Sequence, residues 1–234
     1  MLYEASAVGD LAMIELLLAR GVDPNHTGDG QRTPLENAIS FRRLDVAKVL
    51  RRAGAEIDRP GMRALHVAAA MGCLTVNGVR TVDYVRWLLD EGAAVDGTEG
   101  HTTPLILAAG TGDAESVQVL LEHGARVEAR NGQGETALVV AARALSLDVV
   151  RLLIATGARV DAHDSAGGTV LHALAGQDYN GLVCPELLEM LRLLIAHGAD
   201  VAARDDEGRR ALDFALAAAL PANVIALLEG KGGD

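Results

Sequence analysis

Residues 132–157 read Gly132-Gln133-Gly134-Glu135-Thr136-Ala137-Leu138-Val139-Val140-Ala141-Ala142-Arg143-Ala144-Leu145-Ser146-Leu147-Asp148-Val149-Val150-Arg151-Leu152-Leu153-Ile154-Ala155-Thr156-Gly157. Gly134 to Leu138 is a turn running into a helix start, with Thr136 placed to cap the first turn. Leu138, Ala141 and Ala142 recur at helical spacing and define a short, close-packed inner helix. Leu145 to Asp148 breaks it, and Asp148 suits the positive N-terminus of a second helix. Val149, Val150, Leu152, Leu153 and Ile154 form the apolar face of that helix. Gly157 ends it, because glycine takes the left-handed conformation past a helix end at little steric cost. Ala158 to Asp164 is an extended, turn-rich link.

The same phrase recurs along the chain. Gly21, Gly54, Gly92, Gly124, Gly157, Gly198 and Gly230 each follow a similar apolar run, at intervals of 33, 38, 32, 33, 41 and 32 residues. A period near 33 residues marks a stacked repeat rather than one globular core. Neither helix of a unit can bury its face alone, so stability comes from stacking neighbours.

Several motifs recur in phase with the glycines. Thr33-Pro34-Leu35 and Thr103-Pro104-Leu105 start helices, Ala64-Leu65-His66-Val67-Ala68-Ala69 and Leu171-His172-Ala173-Leu174-Ala175 continue them, and Leu193-Leu194-Ile195-Ala196-His197-Gly198-Ala199-Asp200-Val201 closes a unit. On these residues the chain resembles the ankyrin-repeat family over essentially its whole length. The resemblance implies an all-α solenoid of about seven helix-turn-helix units with short β-hairpin-like fingers. It implies a single domain over 1–234, with units at approximately 1–27, 28–58, 59–98, 99–131, 132–164, 165–205 and 206–234.

Composition narrows the function. Aromatics make up 3% of the chain while half of it is hydrophobic, so the core is built from Ala, Leu and Val. A net charge of −11 argues against nucleic acid, which needs a basic stripe to neutralise phosphates. No long apolar run suggests a membrane span or a signal peptide. Two cysteines, Cys73 and Cys184, make no disulfide framework. The expected setting is cytoplasmic, and abundant Ala, Gly and Arg with little Lys point to a bacterial coding sequence.

Charge is uneven. Residues 90–128 carry eight acids against Arg126, and residues 32–63 carry eight bases against four acids. The two bands read either as solvated outer faces or as a steering patch for an oppositely charged partner.

Departures from the period carry individuality. The inner-helix leucine and the closing glycine stand 19 residues apart in the units of Leu35, Leu105 and Leu138, but 27 apart in those of Leu65 and Leu171. Eight-residue insertions therefore fall near Met71–Val82 and Gly176–Glu186, beside both cysteines. They read as tolerated loops or as a specialised contact surface. The finger at Arg59-Pro60-Gly61 is short and favours a tight turn.

No catalytic constellation emerges, and no cofactor is expected. His123 and His197 precede helix-ending glycines, where imidazole suits the last carbonyls. By the resemblance, His66 and His172 hydrogen-bond neighbouring backbone. His26, His101 and His163 lie in different fingers without metal-ligand spacing, and no phosphate-binding glycine loop occurs.

The resemblance also implies a groove lined by inner-helix positions flanking the paired alanines. Here these read Asn37, Ser40 and Phe41; Val67, Ala70 and Met71; Leu107, Gly110 and Thr111; Val140, Arg143 and Ala144; and Ala173, Gly176 and Gln177, with Phe214 opening the last unit. Phe41, Val67, Met71, Leu107 and Val140 make that row apolar, and contiguous exposed apolar patches mark contacts. With finger residues Arg32, His101, Asn131 and Gln133, and with Thr111 and Arg143, they form the expected partner site. The expected function is non-catalytic binding of a protein or peptide by a monomer. The alternative is a scaffold or self-associating module that uses the two insertions.

Overall fold

The computed structural model describes residues 1–27, 32–58, 64–73, 75–76, 78–97, 102–177, 179 and 185–231. Among them, fourteen helices follow one another in pairs. The pairs are α1 (Leu2–Val8) with α2 (Leu11–Ala19), α3 (Pro34–Ser40) with α4 (Leu44–Arg52), α5 (Ala64–Ala69) with α6 (Thr81–Asp90), and α7 (Pro104–Thr111) with α8 (Ala114–Glu122). Then come α9 (Ala137–Arg143) with α10 (Leu147–Ala155), α11 (Val170–Ala175) with α12 (Pro185–Ala196), and α13 (Ala211–Ala217) with α14 (Ala222–Leu228).

The chain divides into two compact units, one of Met1–Ala108 with Glu115–Ala125, the other of Ala109–Ala114 with Arg126–Asp234. In the first, α1 packs on α3 and α3 on α5, and α1, α3 and α5 each pack on the outer helix that follows. In the second, α9 packs on α11 and α11 on α13. Fully buried alanines at Ala38, Ala68, Ala69, Ala141 and Ala142 let these short helices approach closely.

Helix starts follow local chemistry in some repeats only. Thr33 and Glu36 form a reciprocal capping box, with the Glu36 N–H donating to Thr33 Oγ1 at 3.2 Å and the Thr33 N–H donating to Glu36 Oε2 at 2.9 Å. Thr136 departs from its expected role. It occupies the N-cap of α9, but its side chain makes no capping bond and its Oγ1 is buried without a hydrogen-bond partner.

The closing glycines behave as a set, with all seven at positive φ between 74 and 96°. After α4, the Gly54 N–H donates to the Arg51 carbonyl and the Ala55 N–H to the Leu50 carbonyl, both at 3.0 Å. These two bonds satisfy carbonyls that the helix end would otherwise leave orphaned. The alanine after the glycine (Ala55, Ala93, Ala125, Ala158 or Ala199) is then buried, which locks the exit of the chain.

Consecutive repeats are also stitched by a side chain four residues past the closing glycine. Asn25 Oδ1 accepts from the Glu56 N–H at 2.8 Å, Asp58 Oδ2 from the Ala94 N–H at 2.6 Å, and Glu128 Oε1 from the Arg159 N–H at 2.9 Å. In the first compact unit the basic and acidic bands meet through Arg51–Glu91 at 3.0 Å, and Arg80, outside the basic band, pairs with Glu115 at 2.7 Å. Exposed pairs of this kind contribute about 0–1 kcal/mol each.

The insertions differ from each other. The first folds into a ribbon of β1 (Thr75–Val76) and β2 (Val79–Arg80), antiparallel, with Thr75 opposite Arg80. The second leads into a lengthened outer helix, α12, of 12 residues. The expected short finger at 59–61, His101 and Cys184 lie outside the described residues.

Candidate interaction surface

The row expected to line a groove is open at most positions. Phe41 is 56% exposed. Ala70, Gly110, Thr111, Arg143, Ala144 and Gly176 are exposed, and Val67, Met71, Leu107, Val140, Ala173 and Gln177 are half-buried. Asn37 corrects the expectation. It is buried, and its Nδ2 donates to the Tyr3 carbonyl at 2.7 Å, so it ties α3 to α1 instead of facing a partner. In the first compact unit, Val67 and Leu107 lie on α5 and α7, Phe41 and Met71 fall just past the ends of α3 and α5, and Arg32 is exposed at the entry to α3.

In the second unit the residues are drawn together. Val140 Cγ1 lies 3.0 Å from where a Cβ on Gly110 would sit, so the valine fills the space left by that glycine. Arg143 Nη1 donates to Glu135 Oε1 at 2.7 Å, and Asn131 Nδ2 donates to Glu135 Oε2 at 2.8 Å. Glu135 thus joins the groove arginine to the finger asparagine. Gln133 is exposed, and its carbonyl accepts from the Ser165 N–H of the next finger at 2.9 Å.

Three fingertips are built alike. Seven residues past the closing glycine stand Asn131, Asp164 and Asp205. Asn131 Oδ1 accepts from the Gln133 and Glu135 N–H groups, both at 2.9 Å. Asp164 Oδ1 accepts from Ala166 and Gly168, both at 2.8 Å, and Asp205 Oδ1 from Glu207 at 3.0 Å and Arg209 at 2.8 Å. A side chain that mimics the backbone acceptor of a turn holds each loop. The Asp206 N–H then donates to the Ala166 carbonyl at 3.0 Å, so adjacent tips are joined backbone to backbone.

Between these tips and the inner helices lies a cavity of about 310 Å³, bordered by Arg143, Asp164, His172, Gln177, Arg209 and Phe214 among others. The Arg209 guanidinium sits 4.5 Å from the Phe214 ring centre and pairs with Asp205 at 2.9 Å and Glu207 at 2.7 Å. His172 meets Phe214 edge-on at 5.9 Å. Its Nδ1 lies 2.9 Å from Thr169 Oγ1 and its Nε2 lies 3.0 Å from the Arg209 carbonyl. His172 therefore bonds neighbouring backbone, in agreement with the role implied by the resemblance. His123 and His197 likewise place Nδ1 2.8 Å from the carbonyls of Val119 and Leu193.

Electrostatics here serve structure. Burial would push the Asp205 carboxyl up, but N–H groups of Arg209 and Glu207 and the Arg209 guanidinium together hold it below its ordinary range. The Arg210 N–H holds Asp213 down in the same way, aided by its guanidinium. Among the described residues no cluster of His, Cys, Asp and Glu is arranged to hold a metal ion. What the surface offers is shape, a few exposed apolar side chains and oriented charged groups.

Sequence reasoning placed Arg143, Asn131 and Gln133 here but missed Glu135, Asp205 and Arg209. The signal for the tips was available in the recurrence of Asn131, Asp164 and Asp205 at one distance from the closing glycine.

Comparison with known proteins follows the same frame. Models of ankyrin repeats match residues 2–93, 61–131, 76–164, 166–206 and 188–228. Human ankyrin repeat and SOCS box protein 18 is 34% identical over 141 residues, which cover 57% of this chain and 28% of that protein. The putative palmitoyltransferase ZDHHC13 of Danio rerio is 29% identical over 140 residues, covering 58% of this chain and 21% of that protein. The matched stretches thus span less than a third of either relative. The crystal structure of the human ASB11 ankyrin repeat domain superposes with a TM-score of 0.81 at 29% identity, covering 100% of this chain and 98% of that one.

Proposed function

Because the chain belongs to the ankyrin-repeat family, whose members are generally protein–protein interaction modules, we propose that it binds a protein or peptide without catalysing a reaction. The binding surface in this reading is the exposed inner-helix row together with the finger tips. The repeats act as one domain over residues 1–234. Rigid stacking lowers the ordering cost of association, because the contact residues are already held in place before a partner arrives.

The observation that carries the reading is the aromatic ring of Phe41, 56% exposed at the C-terminal end of α3, six residues past Leu35. A large apolar side chain gains nothing from water, and covering it with a partner removes that area from solvent. The net charge of −11 supports a protein rather than a nucleic-acid partner. Composition is what supports a cytoplasmic setting and a bacterial origin. No described helix is long and apolar enough to cross a membrane.

The test uses the intact chain as bait and compares the proteins it captures with those captured by Met71→Asp and Leu107→Asp. Both substitutions fall on half-buried row positions, and each is expected to abolish capture while the helical circular-dichroism signal stays intact. Capture that survives both changes counts against the row.

A second reading places the contact on the insertions, favoured by the exposed Cys73, Thr75 and Arg80 around the β1–β2 ribbon. Deleting residues 74–79 then removes capture while the row substitutions leave it unchanged.

A further inference from the structure

The three fingertips share a backbone design and differ in what meets the tip side chain. Four residues past Asn131, Asp164 and Asp205 stand Glu135, Gly168 and Arg209. In the two flanking tips that residue engages the tip. Glu135 Oε2 accepts from Asn131 Nδ2 at 2.8 Å, and Arg209 Nε donates to Asp205 Oδ2 at 2.9 Å. The middle tip has no such side chain. Asp164 Oδ1 takes the backbone N–H groups of Ala166 and Gly168, while among the described residues its Oδ2 meets no donor and no cation pairs with it.

The turn itself does not call for glycine at residue 168. The left-handed position of each tip is one residue earlier, at Gly134, Gly167 and Gly208, with φ of 78, 73 and 77°. A Cβ on Gly168 would lie 2.9 Å from Asp164 Oδ2 and 3.2 Å from Oδ1. Glycine thus leaves the carboxylate open at the position where the next tip carries an arginine.

Asp164 and Gly168 both border the cavity of about 310 Å³. That volume is at the small end of ligand pockets, which run to about 300–1,000 Å³, and it suits one long side chain. Three carboxylates (Glu135, Asp164 and Asp205) and two arginines (Arg143 and Arg209) line it. Arg143 already pairs with Glu135, and Arg209 with Asp205 and Glu207. The charge left uncompensated is that of Asp164. Ala173 and the half-buried ring of Phe214 add apolar surface, on which the methylene stem of a long cationic side chain packs while its head reaches a carboxylate.

We propose that this cavity is a subsite for an arginine side chain of the bound protein or peptide, whose guanidinium donates to Asp164 Oδ2 as Arg209 donates to Asp205. The partner then supplies from outside the charge-assisted hydrogen bond that the middle tip lacks, a stronger bond than a neutral one. An anionic guest would have to displace a carboxylate from Arg143 or Arg209. The inference rests on the reading of the chain as a binding module and adds the chemistry of one contact.

Titrating the isotope-labelled intact chain with N-acetyl-arginine amide at constant ionic strength, followed by amide NMR, tests it. Saturable shifts are expected at the N–H groups of Ala166 and Gly168, with a Kd on the order of 1–10 mM for so small a probe. N-acetyl-citrulline amide, of the same shape without the charge, and N-acetyl-glutamate amide are expected to leave these signals in place. Asp164→Asn keeps the turn acceptor, as Asn131 does in its own tip, and should weaken arginine binding about tenfold or more. Absence of a saturable shift with arginine overturns the proposal, and so does citrulline binding as tightly, a comparison made on the wild type alone. Glutamate binding in place of arginine would assign the cavity to Arg143 and Arg209 and overturn it too. An unchanged Kd in Asp164→Asn, with its helical signal intact, does the same. The titration uses no partner, so the subsite and the inner-helix row fail independently: capture by the bait reports on one, and the probe on the other.

Discussion

At the turn that closes the outer helix, all seven repeats carry glycine, with φ between 74 and 96°. At the turn between inner and outer helices, seven residues past the inner leucine, the described positions are Gly9, Arg42, Gly72, Gly112, Leu145 and Ala219. Both turns are left-handed, yet the second accepts side chains. The dihedrals explain why. Arg42, Leu145 and Ala219 sit at φ of 57, 53 and 52°, inside the left-handed well centred near about +57° that L-residues can enter. The closing turn lies beyond that well, where a Cβ meets the chain's own backbone. Crowding from elsewhere is not the cause, since a Cβ added at Gly54, Gly92, Gly124, Gly157 or Gly198 meets nothing within 4 Å. A turn defined by its dihedral leaves a periodic mark in the sequence, and a turn that several residues can make does not.

Gly157→Ala should break this comparison most visibly. With open space around the new methyl, the whole effect is backbone strain, about 1–2 kcal/mol of lost stability, read as a lower urea midpoint at unchanged slope. An unchanged midpoint would mean that the closing turn tolerates side chains after all.

Gly112→Ala comes next, with a loss of about 1 kcal/mol. Here φ is 73°, and the added Cβ would lie 2.7 Å from Ser146 Oγ. Pairing it with Ser146→Ala separates the two causes: recovery of part of the loss identifies the contact, and no recovery assigns all of it to φ.

Ala219→Gly goes the other way. Relief of the left-handed strain slightly exceeds the added freedom of the unfolded chain, for a gain of about 0.5 kcal/mol in a thermal or urea midpoint. A loss would show that alanine sits in that turn at no cost.

The fingertips supply the smallest effect and a third way to make a turn, by a side-chain acceptor. Asp205 titrates below its ordinary value of 3.8 in the folded chain, so it contributes stability above that pH and loses it as pH falls through the lower folded value. Asp205→Asn, which keeps an acceptor for the two backbone N–H groups, should flatten the acid limb of the stability profile below about pH 4. A limb unchanged by the substitution would place the acid sensitivity elsewhere.

Much of the architecture was legible because it is local. The phrase ending in Gly157 identifies an outer helix and its exit, and its recurrence counts the repeats. His172 was readable from its place beside Leu171. The candidate surface was less so. Asn37 stands in frame with Val67 and Leu107 but is buried, because the Tyr3 carbonyl of the preceding helix supplies a partner for its amide. Thr136 carries a good capping residue type, yet its hydroxyl makes no cap bond. Glu135 looks like one more surface acid until Arg143 and Asn131 are seen to meet on it.

The sequence by itself determined the period, the helix pairs, the closing turns and the absence of net positive charge. Each of these depends on residues a few positions apart or on a sum over the whole chain. Only the tertiary structure decided which frame positions face water, which arginine meets which carboxylate, and that Phe41 is exposed while Asn37 is buried. Those outcomes depend on what a neighbouring repeat brings within reach some thirty residues away in sequence.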